Sequence, residues 1–199
     1  MYSDQLSDDT LDALERAEQL KLQGKHEDAI LLLEELLTQD PANVPALEEL
    51  ADNELSLDHD ARAEAAAERA IALDQGSYMG HYIVGFLRSH ESKWAEALTE
   101  LSLANKLRAN NPESLRCLGW ALLRSGRAPE GIVTLERALN LDNDNPLTLC
   151  DLGVAYLENK DVAKARLLFQ RALELDPQNE RARECVDMVG RLERSTQAA

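Results

Sequence analysis

The sequence predicts an all-helical chain built as a solenoid of antiparallel helix pairs, and three observations carry that expectation. The first is an internal repeat: LERALNLDNDNP (135–146) returns as FQRALELDPQNE (169–180), 34 residues later. Stepping back by the same interval gives LSLANKLRANNP (101–112), then AERAIALDQGSY (67–78), then LLEELLTQDPAN (32–43, a looser match). The second is that each period holds two apolar stripes at helical spacing. The third is composition: Ala, Leu, Glu and Arg dominate while Gly and Pro are scarce, which favours helix at nearly every position. A lone helix pair cannot bury both of its faces, so units of this kind must stack.

One register without insertion or deletion divides the chain into 10–43, 44–77, 78–111, 112–145 and 146–179. In the fifth unit Leu149, Leu152, Gly153 and Tyr156 form the stripe of a first helix. Asn159-Lys160-Asp161 breaks that pattern with capping chemistry, and Ala165, Phe169 and Ala172 form the stripe of a second helix that stops before Asp176-Pro177. Small residues at Gly153, Ala165 and Ala172 suit a close approach of two backbones, and Tyr156 and Phe169 fill the space between. Loop signals at Asp40-Pro41, Gln75-Gly76-Ser77, Asn110-Asn111-Pro112 and Asn143 to Pro146 fall where the register places them. Residues 1–9 read as a short disordered lead. The tail reads as a capping helix over 180–197, with Ala182, Val186, Val189 and Leu192 as its apolar face.

These residues resemble the tetratricopeptide repeat family across 10–179. Leu152-Gly153, Tyr156, Ala165, Phe169, Ala172 and Pro177 match its pattern well, while the fourth unit keeps Leu118-Gly119, Gly126 and Ala138 but has Gly131 and Leu135 where Ala and an aromatic are usual. The third unit keeps Gly85, Trp94, Ala97, Leu101 and Ala104 but has Arg88 where the family has Tyr. The first two units depart furthest, keeping Gly24, Ala29 and Pro41, then Ala51, Ala63 and Ala70. The resemblance implies a right-handed superhelix whose first helices line a concave groove, the family's usual ligand surface.

Helix geometry selects candidate groove residues as those rotated away from the stripe that packs on the second helix. They include Tyr82 and Phe86 in the third unit, Arg116, Trp120, Leu123 and Arg124 in the fourth, and Val154 in the fifth. Aromatic side chains with Arg are the types enriched at binding hot spots. The same positions in the first two units give Glu18, Glu48 and Asp52. Trp94 instead lies on the core stripe and is expected to be structural. The groove is therefore expected to be acidic at its N-terminal end and apolar with Arg towards its C-terminal end. Such a groove suits a protein or peptide partner of mixed basic and apolar character, bound extended or as an amphipathic helix.

Charge and chemistry exclude several alternatives. The net charge is −16, and residues 1–77 hold 5 Lys or Arg against 20 Asp or Glu. Phosphate neutralisation needs clustered Lys and Arg, so nucleic acid is not the expected ligand. Family co-chaperones that grip chaperone C-termini use Lys and Asn on successive groove helices. Here Leu14 and Glu18 stand at the first of those places, where a carboxylate would be repelled. There is no Gly-rich phosphate loop, and His26, His59, His81 and His90 lack metal-ligand spacing. No catalytic residue, cofactor or metal site is expected, so the chain reads as a non-enzyme. Cys117, Cys150 and Cys185 form no CxxC pair and, with no export signal at the N-terminus, are expected to stay reduced in a cytoplasm. No apolar run approaches a membrane span, so direct membrane insertion is not expected. The favoured reading is a scaffold or adaptor; the alternative is a chaperone for an apolar segment of a secreted or membrane-associated client. A homo-oligomer built on the apolar face of the third or fourth unit is an alternative to binding a foreign peptide, with a monomer the favoured expectation.

Overall fold

A computed structural model describes residues 8–197, with side chains described for all of these except 8, 192, 193 and 195–197. Among the described residues the structure is entirely α-helical, with eleven helices and no strand. They are α1 (Asp8–Leu22), α2 (His26–Gln39), α3 (Val44–Ser56), α4 (Asp60–Leu73), α5 (Tyr78–His90), α6 (Trp94–Leu107), α7 (Pro112–Arg124), α8 (Ala128–Leu141), α9 (Pro146–Glu158), α10 (Val162–Leu175) and α11 (Glu180–Gln197). The chain forms two compact units, one up to Leu107 and one from Arg108. In the first, α1 to α6 stack as three helix pairs; in the second, α7 to α10 form two pairs and α11 packs on α10. Of the lead expected over 1–9, residues 1–7 lie outside the described residues, whereas Asp8 and Asp9 already belong to α1.

The boundaries repeat because the capping chemistry repeats. Asn43, Asn111, Asn145 and Asn179 each accept a hydrogen bond through Oδ1 from the amide three residues on, at 2.9–3.0 Å, and Ser77 does so through Oγ at 3.1 Å. Each thereby satisfies one of the amides that a helix start leaves without a partner. Pro45, Pro112 and Pro146 occupy the first or second helical position, where a missing amide costs nothing.

Every turn inside a pair closes the same way. The amides of Lys25, His59, Lys93, Arg127 and Asp161 donate to the carbonyls of Leu20, Glu54, Arg88, Leu122 and Tyr156, each five residues back, at 2.9 Å. This closure puts the preceding residue in the left-handed region: Gly24 at φ 72°, Asp58 at 58°, Ser92 at 59°, Gly126 at 80° and Lys160 at 65°. Only two of these five residues are glycine, and Lys160 has neither glycine's freedom nor the short side chain that lets Asp tolerate the conformation. Lys160→Gly is expected to raise the stability of the C-terminal unit by about 0.5–1 kcal/mol, measured as a higher urea midpoint.

Within each pair the helices touch where one side chain is nearly absent. A Cβ added to Gly85, Gly119 or Gly153 would stand 2.7 Å from Leu101 Cγ, 2.7 Å from Leu135 Cγ or 2.5 Å from Phe169 Cε1. In the first two units the same positions hold alanine, Ala17 and Ala51, both fully buried, in cores with Leu33 and Ala67 respectively. The tail helix closes the second unit with Ala182 and Val189 buried and Val186 half-buried. Leu192 of its expected apolar face lies outside the described side chains.

Three seams between successive pairs carry a polar set at one register, with the charges exchanged among its members. At the first seam Arg62 on α4 lies 2.6 Å from Glu34 on α2 and 2.6 Å from Glu54 on α3. At the second, the cation is the middle member: Arg88 on α5 meets Glu64, Glu68 (3.6 Å) and Glu96 (3.2 Å). In the C-terminal unit the middle member is neutral. The Tyr156 hydroxyl donates to Glu136, which raises the phenol pKa, and the Lys164 ammonium lies 4.6 Å above the Tyr156 ring. Arg88 therefore stands at the register of Tyr156 as the hub of an ion-pair set.

Candidate functional site

In the N-terminal unit the candidate residues lie along α1, α3 and α5. Glu18 is exposed, and Glu48, Asp52, Tyr82 and Phe86 are half-buried. The carboxylates are partly matched from within: Lys21 on α1 reaches Glu49 at 2.7 Å and Asp52 at 3.0 Å on α3. Burial opposes the charge on Lys21, but hydrogen bonds to Glu49 and Asp52, with their charges, outweigh it and raise its pKa. Glu48 accepts a hydrogen bond from Ser77 Oγ at 2.6 Å.

Tyr82 and Phe86 belong to a longer row. Tyr78, Tyr82, Phe86 and His90 recur every fourth residue on α5, with successive ring centroids 6.3, 6.3 and 4.2 Å apart. Both inner rings also pack on the core built by Ala51, Ala63, Ala67 and Ile83. The extension to Tyr78 and His90 is legible in the spacing and goes beyond the pair singled out from sequence.

The C-terminal unit corrects two expectations. Leu123 is 4 % exposed and forms a core with Ile132, Leu135, Leu152 and Ala155, so it offers no surface to a partner. The cause is Gly131, where α8 comes so close that an added Cβ would meet the Leu123 amide nitrogen at 3.0 Å. Arg116, with a side chain 14 % exposed, is engaged within the chain by Glu113 and, at 2.9 Å, by Asp151. Burial works against its charge, but the hydrogen bond to Glu113 and the charges of Cys117, Glu113 and Asp151 hold it above the usual guanidinium range.

The remaining candidates there form one cluster. Trp120 is half-buried, with the Arg124 guanidinium 5.7 Å and the Arg181 guanidinium 5.2 Å from its ring. Arg124 is exposed and lies 3.2 Å from Glu158 on α9. Val154 is half-buried and packs with Tyr156 and Leu157 beside Phe169 and Val189. Asp151 is 2 % exposed and receives Arg181 at 2.8 Å as well as Arg116, so one carboxylate ties α7, α9 and α11 together. Neither Asp151 nor Arg181 stood out in the sequence, since nothing local signals a contact between first helices of different pairs.

The histidines have local partners. His26 Nδ1 lies 3.0 Å from Asn53 Oδ1, His59 Nδ1 2.8 Å from Glu54, His81 Nδ1 2.6 Å from Glu100, and the His90 ring packs tilted by 42° against Phe86. Trp94 is half-buried at the first position of α6. Cys117 and Cys150 are buried, and burial pushes the Cys150 thiol up to about 11, above the range of a nucleophile at neutral pH. No helix among the described residues is long and apolar enough to cross a membrane.

The class follows from these observations: stacked antiparallel helix pairs at a constant 34-residue spacing, each joined by a tight turn and with a small residue at the crossing, define a tetratricopeptide-type all-α fold. Residues 122–185 match the tetratricopeptide repeat family model. The fold of a tetratricopeptide repeat protein from Thermus thermophilus superposes with a TM-score of 0.67 at 20 % identity, over 90 % of this chain and 97 % of that one. PilF of Pseudomonas aeruginosa gives a TM-score of 0.72 at 18 % identity, over 94 % of this chain and 92 % of its own. YrrB, described as a tetratricopeptide repeat protein with an unusual peptide-binding site, gives 0.65 at 19 % identity, over 86 % of this chain and 89 % of its own. No curated protein matches in sequence.

Proposed function

We propose that the chain is a non-enzymatic scaffold that holds a partner polypeptide of mixed basic and apolar character on the faces of its first helices. The observation that carries this reading is the set of half-buried aromatic side chains there, Tyr82 and Phe86 in one unit and Trp120, with the Arg124 and Arg181 guanidinium groups at its ring, in the other. Large rings that keep part of their surface in water, rimmed by charge, are what a partner can bury with the greatest gain. The likeness to a peptide-binding repeat protein supports the same reading at the level of the fold. Glu18, Glu48 and Asp52 supply the charge complement to a basic partner, while Val154 and Trp120 supply apolar area. Arg124 meets Glu158 in an exposed pair, where a partner carboxylate can take the place of Glu158 at little cost. The proposed location is the cytoplasm, where the three thiols stay reduced.

A pull-down from native lysate with the wild type, Phe86→Ala and Trp120→Ala tests this. Arg116 is left unchanged, because removing it would strand the buried Asp151 and confound binding with folding. The reading expects proteins captured by the wild type to be lost by one or both folded variants. Full retention by both variants would remove these first-helix faces as the site.

A further inference from the structure

We infer that the aromatic row on α5, with the carboxylates of α3, is a docking strip for an arginine-rich segment of the partner in extended conformation. The inference rests on the scaffold reading above and assigns the basic part of the partner to one place in the N-terminal unit. Four rings, Tyr78, Tyr82, Phe86 and His90, run along three turns of α5, and the two inner ones are half-buried, so part of each ring remains accessible. On the adjacent first helix, Glu48 and Asp52 hold the repeat positions equivalent to Tyr82 and Phe86, which lie one 34-residue period on. Helices α3 and α5 are in contact, so acids and rings line neighbouring rows of one surface.

Two further observations fix the chemistry of the occupant. The chain already seats a cation here: the Lys21 ammonium lies between Glu49 at 2.7 Å and Asp52 at 3.0 Å. The field around the strip has the same sign, since 20 Asp or Glu and only 5 Lys or Arg lie within residues 1–77. Carboxylates alone would take any cation. Carboxylates beside ring faces favour the planar, weakly hydrated guanidinium, which stacks on a ring while its edge donates to an acid. An extended segment places successive side chains on alternate sides, so every second residue can reach the strip.

Lys21 then competes with the partner for Asp52, and this gives the proposal a distinctive signature. The probe is a fluorescein-labelled peptide of alternating Arg and Leu, compared with its Glu-for-Arg counterpart by fluorescence anisotropy on the full chain. The Arg peptide is expected to bind with an affinity that falls as salt rises, and the Glu peptide not to bind. Phe86→Leu and the Glu48→Gln/Asp52→Asn pair are each expected to weaken binding about fivefold or more, as loss of a cation–ring or charged contact should. Lys21→Met, which frees both carboxylates, is expected to tighten it about threefold; a merely structural Lys21 would give weaker or equal binding. Val133→Thr, an exposed position on α8 of the other unit, is expected to leave the affinity unchanged. Equal binding of the two peptides, or variants of α3 and α5 that all bind like the wild type, would overturn the inference. If that happens while Phe86→Ala still loses partners in the pull-down, the scaffold reading survives and only the arginine assignment falls.

Discussion

Gly153→Ala is expected to destabilise the C-terminal unit by about 2 kcal/mol, although alanine is the better helix former by about 1 kcal/mol. The added Cβ would stand 2.5 Å from Phe169 Cε1 and 2.8 Å from Cδ1, distances that close packing does not permit. Phe169 is fully buried and packs with Ala165, Val189 and half-buried neighbours on three helices, so it has nowhere to withdraw. The first pair of the chain shows the remedy, since there an alanine, Ala17, shares its core with Leu33. Gly153→Ala combined with Phe169→Leu should therefore recover a large part of the loss, whereas Phe169→Leu alone should itself be destabilising, by about 1–2 kcal/mol for the space it leaves. Urea denaturation of the single and double variants measures this coupling. Additive losses would mean that the two helices can separate at the crossing without cost.

Arg62→Leu is expected to cost about 3 kcal/mol, more than an exposed arginine usually contributes. The reason is Glu54, which is 1 % exposed and has the Arg62 guanidinium 2.6 Å from Oε1 and His59 2.8 Å from Oε2. Without Arg62 a buried carboxylate keeps only the imidazole as its partner, and charge left in a low-dielectric site is expensive. Glu54→Leu in the Arg62→Leu background removes the stranded charge and should restore most of the stability. A leucine is tolerated at that register, as Leu122 in the fourth repeat already shows. Thermal denaturation followed by circular dichroism distinguishes the outcomes: equal midpoints for Arg62→Leu and wild type would mean that Glu54 is satisfied without its cation.

The candidate site was legible in part, and the residues show where the limit falls. Tyr82 and Phe86 were found from helix geometry, because two rings four residues apart on a helix must share a face. Leu123 was misplaced, because its cover comes from Gly131 on the following helix, and how closely two helices approach is not written in either one alone. Arg116 was assigned to a ligand, yet its partner Asp151 lies 35 residues away on another first helix. The same holds for Trp120, whose ring is approached by Arg181 from the tail helix.

By itself the sequence determined the helix pairs, the loops around Asp40-Pro41, Gln75-Gly76-Ser77, Asn110-Asn111-Pro112 and Asn143 to Pro146 and the small residues at the crossings. Those features depend on backbone conformation and on side-chain spacing within one helix or one turn, interactions that act between residues near in the chain. Only the tertiary structure decided which charges on the first helices remain available to a partner. Lys21, Arg62, Arg88, Arg116 and Arg181 all find acids on other helices, 28 to 35 residues away in the pairs Lys21–Glu49, Arg62–Glu34 and Arg116–Asp151. Long flexible side chains reach whichever opposite charge packing brings within a few ångströms, and that proximity is fixed by the stacking of the pairs and not by any local pattern.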